Sequence, residues 1–457
     1  MQSRSWIALR SRPEIAFAAL LIVLTGGLLL GVGLGANALP FPLQSTFSDA
    51  AITHWPNALF FQQSVRAGYW PLWNNLLMSG IPFAADPLSK VWYPPQWLAI
   101  ILPVTTHLNL MIWLHLILAG LGMRALCRRL GQNDAASSIC GLAYAVTPRL
   151  LAATGAGHMD IVYVEAWFPW VLWAIDFAIS APVSLRVRAA VVGCIGALSL
   201  LADLRISVFS FAFGAAFAFW RTRRAEAGKI KIRGVAAALL IGLVLTVGLT
   251  AVQWIPLVAL LSSLSRGDLT AQGAAVYSLQ LAQLIGLLYP DRFGFHETMV
   301  YVGIAVLALA MMGFAQNPRR HLFWLVIMLI AGWYALGDQG ILWPALARVI
   351  PGVVWLRVPS RAWIVVVVCL IVLAGYGIDT ILEGLHAGSK GPLRSGSILI
   401  VCGILFGLAA ASLPLRPGAG IETALTLLIL GSMLMFWRYI PIISLIKTTK
   451  DVASNSL

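Results

Sequence analysis

IAFAALLIVLTGGLLLGVGL, residues 15–34, carries no charged side chain and follows Arg4, Arg10 and Arg12. A helix needs about 20 apolar residues to cross a hydrocarbon core roughly 30 Å thick, and this run is long enough. A signal peptide would have a shorter apolar region and a small-residue cleavage site. Ala36-Asn37-Ala38 weakly resembles such a site, but the run before it is too long, so it reads as an uncleaved first span.

Runs of this kind recur along all 457 residues. Hydrophobic residues make up 60% of the chain and charged residues 11%, with a mean hydropathy of +0.87. Soluble domains carry roughly 25% charged residues, so there is too little polar surface here to face water. A closed barrel, the other spanning solution, needs short alternating strands that the sequence lacks. The expected fold is all-α, a polytopic transmembrane helical bundle forming one domain over residues 1–457. Its spans are expected near 15–35, 104–126, 136–152, 160–179, 187–202, 206–220, 234–254, 299–315, 321–337, 362–381, 396–413 and 421–437, about twelve in all. The pair meeting around Ala202–Ser207 also fits a single re-entrant hairpin.

Charge gives the bundle a direction. About 21 of the 31 Lys and Arg fall in segments on one side, including Arg124/Arg128/Arg129, Arg186/Arg188, Arg221–Arg233 and Arg319/Arg320. That asymmetry places both termini in the cytoplasm. The net charge of +14 is therefore a topological signal and an attraction to anionic lipid, not a nucleic-acid footprint. The five cysteines (Cys127, Cys140, Cys194, Cys369, Cys402) lie in spans or at their cytoplasmic ends, where neither disulfides nor a thiolate metal site is expected.

The outer side carries the long loops, 36–103, 255–298 and 338–361. The first is dense in aromatics and prolines, as in Tyr69-Trp70-Pro71-Leu72-Trp73 and Trp92-Tyr93-Pro94-Pro95-Gln96-Trp97. Such rings prefer the membrane interface, and Ala58–Ala67 fits a short interfacial helix.

Acidic residues are the informative minority, because ionisable groups near membrane depth usually pair or face a cavity. Asp49, in Ser48-Asp49-Ala50, is either a helix N-cap or a functional carboxylate. Asp86, before Pro87, either sets a turn or meets substrate. The short segment Gly155-Ala156-Gly157-His158-Met159-Asp160, followed by Glu165, puts three polar side chains at the mouth of two helices. They either border one cavity or are a capped helix start with an interfacial histidine. Asp203-Leu204-Arg205 is either a mutual salt bridge or a charge pair lining a cavity. Arg357 and Arg361 either snorkel to the interface or hold an anionic phosphate with their guanidinium forks. There is no Walker A loop, dinucleotide-binding glycine fingerprint, G-x-S-x-G elbow, H-E-x-x-H or paired cysteine motif.

Taken in order, these segments resemble the membrane glycosyltransferases of the GT-C superfamily, and most closely the YfhO-like group of bacterial membrane proteins. The similarity rests on Asp49 with Trp55-Pro56, Gly68-Tyr69-Trp70-Pro71-Leu72-Trp73-Asn74, Gly80-Ile81-Pro82, Asp86, Tyr93-Pro94, Gly157-His158, Ala166-Trp167-Phe168-Pro169-Trp170, Tyr301-Val302-Gly303 and Arg357-Val358-Pro359-Ser360-Arg361. Two features depart from the pattern. YfhO-like proteins often carry a sizeable outer domain after the bundle, and Asp203-Leu204-Arg205 stands where a polar, glycine-containing segment is expected.

The resemblance implies a plasma-membrane (inner-membrane) enzyme with its active site on the extracytoplasmic face. It would move sugar from a polyprenyl-phosphate carrier to an extracytoplasmic glycan, lipid or protein, with inversion at the anomeric carbon. It makes Asp49 and Asp160 the catalytic candidates, with Glu165 in reserve. A positioned carboxylate suits the base that takes the acceptor's proton, and partial burial would raise its pKa. Arg357, Arg361, His158, Arg205 and Asp86 are the substrate-binding candidates, the cations facing the developing phosphate charge. No cofactor is required by the sequence, although a divalent Mg or Mn between Asp49 and Asp160 would suit carboxylate oxygens. Two rival readings stand beside this one, a secondary transporter or lipid flippase, and a non-catalytic envelope-assembly subunit.

Overall fold

The computed structural model describes residues 2–31, 38–39, 48–224, 232–260, 269–289, 295–350 and 352–386. The described residues form helices and turns, with one isolated antiparallel bridge between Asn74 and Ile81. In chain order the helices begin with α1 (Gln2–Gly31), α2 (Trp55–Arg66) and α3 (Val104–Arg129). Next come α4 (Asp134–Ala145), α5 (Pro148–Ala156), α6 (Met159–Ser180) and α7 (Leu185–Ala202). Then follow α8 (Leu204–Arg224), α9 (Ile232–Leu260) and the single turn α10 (Ala271–Ala274). The series closes with α11 (Ile304–Gln316), α12 (Pro318–Ala335), α13 (Leu342–Val349) and α14 (Trp363–His386).

Seven helical segments are long and apolar enough to cross a bilayer: α3, α4 with α5, α6, α7, α8, α9, and Pro359–Gly384 around α14. The expected spans at 15–35 and 299–315 fall on α1 and α11, whose apolar stretches are shorter, and 321–337 falls on α12. Those at 396–413 and 421–437, and Cys402, lie outside the described residues. Cys127, Cys140, Cys194 and Cys369 are free thiols.

α6 and α14 form the spine of the bundle. α3, α7 and α8 lie against α6, while α11, α12 and α4 lie against α14. Both central helices are almost wholly apolar, as in Trp363-Ile364-Val365-Val366-Val367-Val368, and both are covered on all sides. α7 runs along α9 at close range, because Gly193 and Gly196 meet Leu245 and Thr246 where larger side chains would collide.

One joint differs from the sequence expectation, and a second decides between the two readings it left open. Residues 136–152 are broken at Thr147 into α4 and α5, because Pro148 supplies no N–H and forces the preceding residue to extended backbone. The pair around Ala202–Ser207 is two separate long helices, not a re-entrant hairpin. They meet at Asp203, whose extended backbone and side-chain oxygen cap α8 through the amides of Arg205 (2.8 Å) and Ile206 (2.9 Å).

The first long loop folds back on the bundle. α2 covers most of Ala58–Ala67, where a short helix is expected, and Gln62 reaches the Leu102 carbonyl (2.7 Å) while Asn57 reaches that of Leu88 (3.2 Å). Trp70 packs its ring against Phe61, Trp92 and Trp97, with centroids 5.4, 5.7 and 6.0 Å away. Tyr93 goes deeper, bonding to His115 of α3 (2.6 Å) and receiving the Trp167 indole N–H of α6 (2.8 Å). These bonds satisfy polar atoms that burial would otherwise penalise.

The two ends of the bundle differ in chemistry. At one end Asp176 of α6 is clasped by Arg129 (2.6 Å) and Arg221 (2.5 Å), and Arg224 donates to the Arg319 carbonyl (2.9 Å). The other end gathers the first long loop, the α5–α6 joint, and the segments before α11 and α14.

Candidate functional site

The site is built around the α5–α6 joint. Gly157 closes α5 with φ +77°, a backbone region that L side chains rarely adopt. A Cβ there would run into Ser48 and Ala50. The glycine is thus what lets the Ser48–Ala50 segment lie against the start of α6, and it sets Asp49 beside His158. His158 Nε2 and Asp49 Oδ2 are 3.2 Å apart, with the Asp49 side chain 40% exposed. On its other edge, His158 Nδ1 faces Glu297 Oε1 at 3.7 Å. Glu297 is buried and takes a forked pair from Arg361, with Nε 3.1 Å from each carboxylate oxygen and Nη2 also on Oε1. His296 sets its ring edge-on to that of His158, with centroids 4.4 Å apart. Asp49, His158, Glu297 and Arg361 form one chain from solvent into the bundle, with His296 at its side.

Asp160, two residues along, sits in a second cluster. Arg205 donates to Asp160 and, at 2.6 Å, to Asp203, and His54 lies 3.7 Å from Asp160 on its other side. Lys90 is buried beneath this cluster, with its ammonium on the Ala202 carbonyl (2.5 Å). Glu165, a further turn into α6, is wholly buried and takes the Arg149 Nε at 2.8 Å. Arg149 also touches the Arg361 carbonyl (3.5 Å), which ties this pair to the first chain.

The structure separates the sequence candidates. Asp49, His158 and Arg361 are drawn together through Glu297, whereas Asp160 and Arg205 pair with each other. Glu165 is sealed against Arg149. Asp86 does what its place before a proline predicts, its Oδ1 accepting from the Leu88 amide (2.9 Å) to cap the next turn. Arg357 stands apart, with positive φ (43°) and a buried Nε that has no hydrogen-bond partner.

Charge states follow from these contacts. The His158 hydrogen bond outweighs burial at Asp49 and holds its carboxyl below the ordinary 3.8. That reverses the sequence expectation of a raised value, because the imidazole stabilises the carboxylate more than partial burial penalises it. Burial alone would push Glu297 up, but the charge and hydrogen bonds of Arg361 bring it below its ordinary 4.5. Burial pushes His296 down to about 4, so its ring is neutral at pH 7. Burial likewise pulls the Lys90 ammonium below its ordinary 10.5.

Sequence reasoning missed Glu297, His296, Arg149 and Lys90. Arg149 could have been found, being the one cation inside the expected span 136–152. His296-Glu297 carries no local motif, and only the fold returns that turn to the α5–α6 joint.

Beside this chain lies an open pocket of about 350 Å³ with Tyr277, Gln280, Gln283, Phe295, Asp338 and Gln339 in its wall. Phe295 packs on His296 with ring centroids 4.6 Å apart, so pocket and chain adjoin.

No protein-family model matches the chain, and no curated protein matches it either. Its fold is similar to that of the arabinofuranosyltransferase AftD from Mycobacteria, with a TM-score of 0.52, 15% identity and 93% of this chain covered. The R1389S mutant of AftD matches with a TM-score of 0.50, again at 15% identity and over 93% of this chain. The chain spans about a quarter of the length of AftD, 26% in the first comparison and 27% in the second. AglB from Archaeoglobus fulgidus, an archaeal oligosaccharyltransferase, is similar at a TM-score of 0.39 and 13% identity, over 92% of this chain and 56% of its own, too loosely to argue from. The protein is a multi-pass membrane helical bundle whose fold is similar to that of AftD.

Proposed function

We propose that this protein is a membrane glycosyltransferase that moves sugar from a polyprenyl-phosphate carrier to an extracytoplasmic acceptor, with Asp49 as the general base. The observation that carries this reading is the placement of Asp49. Of the three catalytic candidates Asp49 is the open one, with a 40% exposed side chain against 9% for Asp160 and 0% for Glu165, and its partner is a histidine, not a guanidinium. Asp160 and Glu165 are held by Arg205 and Arg149 and serve as counter-ions.

An acceptor hydroxyl attacking the anomeric carbon must give up its proton as the C–O bond to the carrier phosphate breaks. Asp49 is ionised at neutral pH and lies within reach of an incoming hydroxyl. The low pKa makes it a modest base, and the His158 Nε2–H beside it orients the carboxylate. The departing phosphate needs cations. Arg357 is the arginine of this region whose Nε has no partner, and the forked Arg361 lies four residues further on. The pocket beside His296, with carboxamides, a carboxylate and two aromatic rings, has the chemistry to hold acceptor hydroxyls.

The arginine-rich ends of α3, α7 and α8 favour an extracytoplasmic site by the positive-inside rule, in a plasma or inner membrane. Placement in the YfhO-like group rests on motif order alone. Full-length protein in liposomes, supplied with radiolabelled prenyl-phosphate sugars extracted from its own membranes, should transfer label to envelope acceptors. Asp49→Asn should lower that rate by about 10²- to 10⁴-fold with unchanged expression and gel-filtration behaviour. Transfer by Asp49→Asn near the wild-type rate would end the assignment of this base. Movement of labelled lipid across the bilayer without any sugar product would favour a flippase instead.

A further inference from the structure

We infer that His158, His296 and Glu297 form a binding site for a divalent metal ion of the zinc class. The inference concerns the site discussed above. Ion binding itself does not depend on sugar transfer, whereas the suggestion that the ion holds a carrier-phosphate oxygen rests on that reading.

Two imidazoles and one carboxylate offer ligand atoms that all lie within 4.8 Å of one another. Tetrahedral zinc bonds of about 2.0–2.2 Å to nitrogen and oxygen place ligand atoms roughly 3.4 Å apart, so the widest pair must close by about 1 Å, a movement that rotation of the half-buried His296 ring can supply. His158 Nδ1 and Glu297 Oε1 are already at 3.7 Å.

The decisive feature is the tautomer of His158. Its Nε2 lies 3.2 Å from the Asp49 carboxylate, which can only accept, so Nε2 carries the proton. In the neutral ring Nδ1 then presents a lone pair. That atom is buried, has no hydrogen-bond partner, and faces a carboxylate oxygen. Two lone pairs facing each other in a buried site repel unless a cation or a second proton stands between them. An ion at this point would accept both, with His296 edge-on to the same space.

The surroundings match the support that metal ligands require. A ligating histidine usually donates its other N–H to a carboxylate, which orients the ring and raises its basicity. Asp49 does this for His158. Arg361 fixes Glu297 by its fork, and a carboxylate with about four lone-pair sites can still bind an ion. The donor set also selects the metal. Magnesium and calcium prefer all-oxygen cages, whereas imidazole nitrogen suits zinc and its neighbours. A site here would therefore differ in position and in metal from the Mg or Mn considered for Asp49 and Asp160. Three protein ligands leave a fourth position open to water or a phosphate oxygen.

The test uses full-length, tag-free protein in nanodiscs, stripped with EDTA and then exposed to Zn²⁺ or Co²⁺. Elemental analysis after gel filtration should find about one zinc per chain, and cobalt should give the visible bands of a low-coordinate nitrogen and oxygen site. His296→Ala, on a half-buried turn, should abolish both readouts with unchanged gel-filtration behaviour. His158→Ala should do the same, and His54→Ala should leave both intact. Asp49→Asn should keep the ion but weaken its affinity about 10- to 100-fold. Absence of zinc from the wild type overturns the inference and leaves a proton shared along Asp49, His158 and Glu297. Binding that survives both histidine variants marks an adventitious ion only and overturns it equally. Sugar transfer by metal-free protein would refute the phosphate role alone. Stoichiometric zinc without any transfer would leave the metal site standing and sink the transferase.

Discussion

Replacing Arg149 with methionine should cost about 3–5 kcal/mol of stability, the range for breaking a buried ion pair from one side. The structure argues for the upper part of that range. Arg149 is 3% exposed and Glu165 0%, so little water is at hand to solvate the carboxylate left behind. The pair is also under-satisfied as it stands. It has one strong hydrogen bond, at 2.8 Å, while Glu165 Oε2 and Arg149 Nη1 have no partner. A pair so poorly supported should be dispensable as a pair. The double variant Arg149→Met with Glu165→Met should therefore return to within about 1 kcal/mol of wild type, or exceed it. The coupling energy of the cycle would then be at least about 3 kcal/mol. Unfolding by SDS in mixed micelles, followed by the fluorescence of the 18 tryptophans, measures each corner. A loss below about 1 kcal/mol in the single variant would mean that water reaches the pair, and the reasoning would fail. The double variant also tests chemistry. If it is stable and still transfers sugar, Glu165 is a counter-ion, whereas loss of transfer at full stability would restore it as a catalytic residue.

Three further outcomes follow from the geometry. Gly157→Ala should strain a position at φ +77° by about 1–3 kcal/mol and push Ser48–Ala50 away from α6, lowering transfer about 100-fold in a folded protein; an unchanged rate would show that Asp49 does not depend on that contact. Asp86→Ala should remove the cap on the Leu88 amide at a cost of about 0.5–2 kcal/mol and leave transfer intact, and a specific rise in substrate KM would return Asp86 to the binding site. Glu297 has a lowered pKa, so the stability its ionised form contributes is present in full above its ordinary 4.5 and lost as pH falls through the lower value. The difference in melting temperature between wild type and Glu297→Gln should thus be flat from about pH 8 to pH 5 and shrink in stronger acid, and a steep change near neutrality would contradict the Arg361 pairing.

The bundle was readable because hydropathy reports burial in lipid without knowledge of partners. Residues 104–126 and 160–179 needed only their length and lack of charge to be placed as helices. The break at Thr147 was also written locally, in Pro148, but a hydropathy window averages over a single residue. The site was legible by half. Asp49, Asp160 and Glu165 stand out as acids beside apolar segments, yet their roles depend on which cation each one meets. Arg205 and Arg149 lie 45 and 16 residues from the acids they hold, and such pairings are set by how α5, α6 and α8 pack. Glu297 was invisible for the same reason, since nothing in its neighbourhood indicates that Arg361, 64 residues on, will clasp it.

The same pairings explain why a chain with so many buried charges offers so few reactive ones. Each buried acid in the outer clusters has a cation within hydrogen-bond range that engages it as a counter-ion. On the proposed reading, the reacting acid is the one whose pairing is weakest and which water reaches, Asp49 with its histidine. This placement also bears on the transporter reading. α6 holds Asp160 and Glu165 within its first seven residues, about 10 Å of a helix some 33 Å long, and Asp176 near its far end is sealed by two arginines. Alternating access through this helix would call for an acid near its middle, reachable from both sides in turn. Between Glu165 and Asp176 α6 carries Ala166-Trp167-Phe168-Pro169-Trp170-Val171-Leu172-Trp173-Ala174-Ile175, an apolar and aromatic stretch that suits a wall between two chemically different ends.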